Sequence, residues 1–109
     1  MPTVTLVKGD ICNLYFYLKE KDPFTNEMSS LDLSGASSIN FRMRREGEST
    51  LSVSGTCVVS DASNGVCYYS FKEGDLSRTG SYKAEVEVVF SNKRITYTGL
   101  RIEVVEELG

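Results

Sequence analysis

The sequence predicts an all-β sandwich, immunoglobulin-like and built from about seven strands, on three observations. Apolar residues recur with period two along most of the chain and nowhere with the 3.6-residue period of a helix. Gly, Asn, Asp and Ser clusters punctuate these runs at sandwich spacing. The third observation is Asp75-Leu76-Ser77-Arg78-Thr79-Gly80-Ser81-Tyr82-Lys83-Ala84, where a turn passes through Gly80 into a Tyr that opens an alternating strand. That is the layout of a tyrosine corner, in which the phenol bonds backbone upstream and pins a chain crossing. Antibody domains place a core Cys two residues after this Tyr; here that position is Ala84, so the expected sandwich has no disulfide.

Val4 and Leu6 mark the first strand, which ends at the Gly9-Asp10 turn. Cys12, Leu14, Phe16 and Leu18 alternate down the second, and the polar, Pro23-containing stretch from Lys19 to Ser30 reads as a loop. Leu31-Asp32-Leu33-Ser34-Gly35-Ala36 leads into a third strand, with Ile39, Phe41 and Met43 on one face and Arg42 and Arg44 on the other. Leu51, Val53, Cys57 and Val59 give a fourth; Cys67, Tyr69 and Phe71 give a fifth, joined to it through the Asn64-Gly65 turn signal. Tyr82, Ala84, Val86, Val88 and Phe90 run inward along the sixth, and a tight Ser91-Asn92-Lys93 turn returns the chain through Ile95 and Tyr97. Leu100, Ile102 and Val104 then continue the apolar face on even numbers, so one residue must be absorbed between Tyr97 and Leu100, with Gly99 as the natural bulge. The expected core draws on Phe16, Phe41, Val53, Tyr69, Tyr82, Val86 and Ile102. All 109 residues form a single domain (1–109), with no repeat or low-complexity block.

Composition removes several function classes. A net charge of −3 offers no chain-wide attraction to nucleic acid or anionic lipid. Charged or turn residues interrupt every hydrophobic run, so no membrane span is expected. The N-terminus lacks the features of a secretory signal, which predicts synthesis in the cytoplasm. Without His, Ser-His-Asp and Cys-His catalysis and His-ligated metals are excluded. Asp22, Asp32, Asp61 and Asp75 fall at turns, where Asp bonds its own backbone, and no Gly-rich phosphate loop is present. The expectation is no enzyme, no catalytic residue, no metal and no cofactor. Cys12, Cys57 and Cys67 match no zinc spacing and lie on the apolar parity of their strands, as three reduced, buried small hydrophobes; a Cys57–Cys67 bridge across the hairpin is the alternative.

A longer pattern carries a resemblance. Lys8-Gly9-Asp10 entering a strand, Leu31-Asp32-Leu33-Ser34-Gly35-Ala36 leading into Phe41-Arg42-Met43-Arg44, Asn64-Gly65-Val66-Cys67-Tyr68-Tyr69, Gly80-Ser81-Tyr82-Lys83-Ala84-Glu85-Val86 and a closing Ile102-Glu103-Val104 together resemble the N-terminal domain of tailed-phage baseplate upper proteins. The resemblance covers nearly the whole chain and rests on order and spacing, since each motif alone is a turn plus a strand. It implies a structural module of a phage or prophage particle that docks a fibre or receptor-binding assembly. Its partners would be other virion proteins, further copies of itself included, with no nucleic acid and no membrane, and its location the virion. Baseplate upper proteins continue into coiled or receptor-facing regions, whereas this sequence stops at Gly109, which leaves a capsid, head-fibre or tail decoration protein of the same fold as the alternative.

If the strands follow immunoglobulin order, the second and fifth are neighbours and turn Tyr15, Tyr17 and Tyr68 outward on one face. Beside them the fourth strand would show Ser52, Ser54, Thr56 and Val58, a flat and approachable surface. Tyr supplies large contact area at low entropic cost, so these three tyrosines are the expected protein interface, with Phe24 and Met28 of the long loop as a secondary contact or a cap on the sandwich end. The opposite sheet would carry Arg42 and Arg44 against Glu85 and Glu87 as a solvated ladder. A carbohydrate-binding adhesin module is the alternative of another class; sugar platforms favour planar aromatics, and the chain has no Trp.

Overall fold

In the computed structural model, which describes residues 3–108, each of the expected strands forms, one of them split in two and a two-stranded ribbon added. The five-stranded sheet contains β1 (Thr3–Val7), β5 (Ser38–Arg45), β6 (Val53–Thr56), β9 (Gly80–Val89) and β10 (Arg94–Val105), in the order β1-β10-β9-β5-β6. The three-stranded sheet contains β2 (Asn13–Tyr17), β7 (Val58–Asp61) and β8 (Val66–Ser70), in the order β2-β8-β7. A separate ribbon pairs β3 (Lys19–Lys21) with β4 (Met28–Ser30). This order is compatible with an immunoglobulin sandwich, and β2 and β8 are neighbours as the sequence led us to expect. All pairings are antiparallel except β1 with β10, which run parallel from Thr3 opposite Arg101 to Val7 opposite Val105.

Between the sheets the inward residues of every main strand meet. Phe41 and Met43 of β5, Val86 and Val88 of β9, Ile102 and Val104 of β10 and Cys67 and Tyr69 of β8 are buried, with Leu31, Leu33, Phe71 and Leu76 closing the ends from loops. Of the expected core, Phe41, Val53, Tyr69, Tyr82, Val86 and Ile102 are buried, and Phe16 packs half-buried against them. The Phe41 ring stacks on Tyr69 at 4.7 Å between centroids and meets Phe71 edge-on at 5.7 Å and Phe16 at 5.8 Å.

The tyrosine corner is formed. Buried Tyr82 donates its hydroxyl to the Arg78 carbonyl at 2.6 Å. Gly80, at φ 140°, leaves room for Arg45, whose Nε and Nη2 both donate to the Thr79 carbonyl at 3.1 and 2.9 Å. Glu48 ties the same turn through Arg78 at 2.6 Å, and that hydrogen bond holds the Glu48 carboxyl below its usual range. Replacing Tyr82 by Phe removes one hydrogen bond and leaves the ring in place. We expect Tyr82→Phe to keep the fold and lose about 0.5–1.5 kcal/mol in a denaturant titration, whereas an unchanged midpoint would deny the corner any energetic role.

The bulge also stands where the parity shift requires it. Tyr97 pairs with Val86 and Leu100 with Ala84, so three steps on β10 match two on β9, with Gly99 at φ 86°. Asp22, Asp32 and Asp75 accept backbone N–H bonds at their own turns, from Phe24, Ser34 and Lys72 at 2.8, 2.9 and 3.0 Å. Asp61 instead accepts from the side chains of Ser63 and Asn64.

Several expectations are corrected. The fourth strand splits at Cys57: Val53–Thr56 pairs with β5, and Val58–Asp61 crosses to pair with β8. Ser54 and Thr56 therefore stand opposite Arg42 and Asn40 in the five-stranded sheet, away from the tyrosines; only Val58 joins them, opposite Tyr68. Ser52 precedes β6 and bonds its N–H to the Met43 carbonyl. Leu51 lies outside the core, and Val59, though in register with Cys67, is at a sheet edge and exposed. The stretch from Lys19 to Ser30 is no plain loop, because its ends pair as the ribbon while both of the ribbon's faces stay wet.

The ladder on the outer face also differs. Arg42 reaches Glu87 at 3.1 Å and Glu85 at 3.9 Å, but Arg44 stands opposite Lys83. Glu87 is a hub that also accepts from Asn40 at 3.1 Å and lies 3.6 Å from Arg94; the bonds from Asn40 and Arg42 lower its pKa. The cysteines are free, but only Cys67 is buried; Cys12 and Cys57 are half-exposed at strand ends. Cys57 stands beside Cys67, and that neighbouring thiol, followed by burial, raises the Cys57 pKa above the ordinary thiol range.

Candidate protein interface

The register builds the tyrosine face. Because Tyr15 and Tyr17 share the parity opposite to Leu14 and Phe16, both point out of β2 once the latter pair enters the core. Tyr15 stands directly opposite Tyr68 on β8, the rings tilted at 40° with centroids 5.0 Å apart, and Val58 stands opposite Tyr68 on its other side. One row across the sheet therefore reads Tyr15, Tyr68, Val58. Tyr17, Val66 and Asp61 form the next row and Asn13 and Ser70 the previous one, where the Ser70 hydroxyl and the Asn13 side-chain oxygen are 2.7 Å apart. No outward position of β2 or β8 is acidic or basic. Tyr17 is 68% exposed, Tyr15 46% and Val58 50%.

The structure brings Tyr15, Tyr17 and Tyr68 together and sets Phe24 and Met28 apart on the ribbon. Phe24 occupies the turn between β3 and β4, shaped by the Asp22 carboxylate accepting from the Phe24 and Thr25 N–H groups at 2.8 and 3.3 Å, and its side chain is 96% exposed. Met28 opens β4 and is likewise exposed. Neither covers the sandwich core. Three exposed apolar residues escaped the sequence reading: Ile11, just before β2, Val105 at the end of β10, and Leu108 beyond it. For Ile11 the signal was present, since it has the outward parity of Asn13, Tyr15 and Tyr17.

Among the described residues no group of three or more His, Cys, Asp or Glu side chains could hold a metal ion. The same residues contain no helix long and apolar enough to cross a membrane. The side chains gathered on the exposed sheet face offer contact area and three phenol hydroxyls, which is the chemistry of a protein contact.

Comparison with known families decides the class: a model described as the BppU N-terminal domain matches residues 24–108. The chain belongs to the BppU N-terminal domain family. It is accordingly a structural domain of the phage baseplate, a constituent of the virion that interacts with other virion proteins. The family is structural rather than enzymatic. No curated protein matches the chain. The BppU match begins at Phe24, so it includes Tyr68 and Met28 but starts after β1 and β2, which carry Ile11, Tyr15 and Tyr17 on or beside them.

Proposed function

We propose that this baseplate domain is a docking module, without catalytic activity, that holds a neighbouring virion protein against the outer face of its three-stranded sheet. The observation that carries the reading is the Tyr15–Tyr68 pair, flanked by Tyr17 and Val58, on a face whose one charged strand residue is Asp61 at the β7 edge, while the other sheet carries ion pairs across β5, β9 and β10. Two-torsion aromatic side chains lose little entropy on ordering, and contacts centred on them dominate many interfaces. Phe24 and Met28, standing out on the ribbon, supply a second contact further along the same partner. The family supports a position in the baseplate over one in the head.

The test is incorporation. Replacing Tyr17 and Tyr68 together by Ser is expected to leave the isolated domain folded and to remove it from assembled particles, because truncations at such centres commonly cost about 2 kcal/mol or more each. Quantitative mass spectrometry of purified particles reads the outcome, and normal occupancy of the double variant would mean that another surface docks.

A further inference from the structure

The outer face of the five-stranded sheet holds a second built feature. Arg44 on β5 stands directly opposite Lys83 on β9, and Lys83 directly opposite Arg101 on β10, so three cations form a row across the sheet. Like charges in directly opposed positions destabilise a sheet. Arg101 is compensated by Glu103 at 2.7 Å and Glu46 at 3.3 Å. Among the described residues no carboxylate lies within ion-pair distance of Arg44 or Lys83, although Arg42, two residues back along β5, has two. The chain as a whole is acidic, so this local excess is set against its net charge of −3.

The row borders a depression. Where the extra residue of β10 interrupts pairing, adjoining hollows of about 230 and 300 Å³ open over Thr98 and Gly99. Arg42, Arg44, Lys83 and Glu85 line the first and Lys83, Arg101 and Glu46 the second, so cations outnumber carboxylates in both, while Leu51, half-exposed and outside the core, gives the first an apolar wall.

We infer that this hollow receives an extended acidic segment of a second virion protein, so that the domain bridges two neighbours, one on each sheet. The inference takes the class of partner from the docking reading above and is independent of the tyrosine face. Its geometry selects the occupant. Adjacent strands lie about 4.8 Å apart, so one carboxylate of an extended segment fits between the two uncompensated cations, Arg44 and Lys83. A free phosphate would pair with the same two cations but leave Leu51 uncovered. A nucleic-acid backbone would meet repulsion from the rest of the acidic chain. An apolar residue beside that carboxylate would lie against Leu51.

The probe is the peptide acetyl-Glu-Val-Glu-Val-Glu-amide, titrated into the ¹⁵N-labelled chain and followed by amide shifts. Saturable shifts at Lys83, Thr98 and Gly99 are expected, with Tyr17 and Tyr68 unmoved. Arg44→Ser and Lys83→Ser should each weaken binding at least about fivefold and reduce its salt sensitivity, as expected for paired surface charges. Both variants should melt no lower than the unmodified chain, since each removes a cross-strand repulsion. The Tyr17→Ser/Tyr68→Ser protein should bind the peptide normally, which separates this inference from the tyrosine contact. Absent or non-saturable shifts, equal binding by the Gln-substituted peptide, shifts centred on the tyrosines, indifference to both substitutions, or tighter binding of inorganic phosphate or oligothymidylate would each overturn it.

Discussion

Phe41→Ala is expected to destabilise the domain by about 3–5 kcal/mol, the range for removing a large aromatic from a packed core. Phe41 has no solvent exposure and sits at the centre of β5, between β6 and β9 in the five-stranded sheet. Its ring touches aromatic residues from both strands that face it: Phe16 from β2, and Tyr69 from β8 with Phe71 just beyond. The void left by Ala would be walled by these rings, and their backbones are held in paired strands, so little collapse can fill it. Single domains have only about 5–15 kcal/mol in total, so the variant should lose much of its margin and melt roughly 15–30 °C lower. Phe24→Ala is the internal control: its ring is 96% exposed, and its removal should move the midpoint by less than about 0.5 kcal/mol. A near-neutral Phe41→Ala would mean that β5 does not turn this face to the core.

Gly65→Ala is expected to cost about 2–5 kcal/mol, for two reasons that add. Gly65 ends the 3₁₀ turn Ala62–Asn64 at φ 71°, a left-handed conformation that Ala adopts with strain. The added Cβ would also lie 2.5 Å from the Leu18 carbonyl oxygen and 2.7 Å from that of Leu31. Both obstacles are backbone, fixed by the bonds from Leu18 N–H to the Gly65 carbonyl and from Leu31 N–H to the Leu18 carbonyl, so neither can swing aside. Gly47→Ala isolates the first cause: its φ is 87° and nothing lies within 4 Å, so it should cost only about 1 kcal/mol. Equal losses at the two glycines, measured by denaturant unfolding, would show that the Leu18–Leu31 crossing is yielding. The consequence reaches the interface, because Tyr17 immediately precedes Leu18 and pairs with Val66. A Gly65→Ala protein that still folds should therefore show displaced Tyr17 resonances.

The cost at Gly65 was hidden in the sequence for a definite reason. Asn64-Gly65 was legible as a turn signal, but the pressure on the glycine comes from Leu18 and Leu31, distant in sequence and brought together by the ribbon. The ribbon itself was illegible because Lys19-Glu20-Lys21 and Met28-Ser29-Ser30 have no buried face to impose alternation. The split at Cys57 was hidden differently. Val53, Gly55, Cys57 and Val59 keep one parity whether the strand stays in its sheet or crosses, since parity records which side faces the core and not which neighbour supplies the hydrogen bonds.

By itself the sequence determined the side every main strand turns inward, the bulge at Gly99, the corner at Tyr82 and the outward set Tyr15, Tyr17 and Tyr68. All of these follow from local chemistry: alternation against a single core, a parity change that one extra residue must absorb, and a phenol that needs a nearby acceptor. Only the tertiary structure decided which outward residues meet. It stacked Tyr15 against Tyr68 and added Val58, moved Ser54 and Thr56 to the charged sheet, set Arg44 against Lys83 and gathered Glu87 with Asn40, Arg42 and Arg94. Those choices belong to register and strand order, which are set by the summed packing of two sheets, and no short stretch of the chain contains that sum.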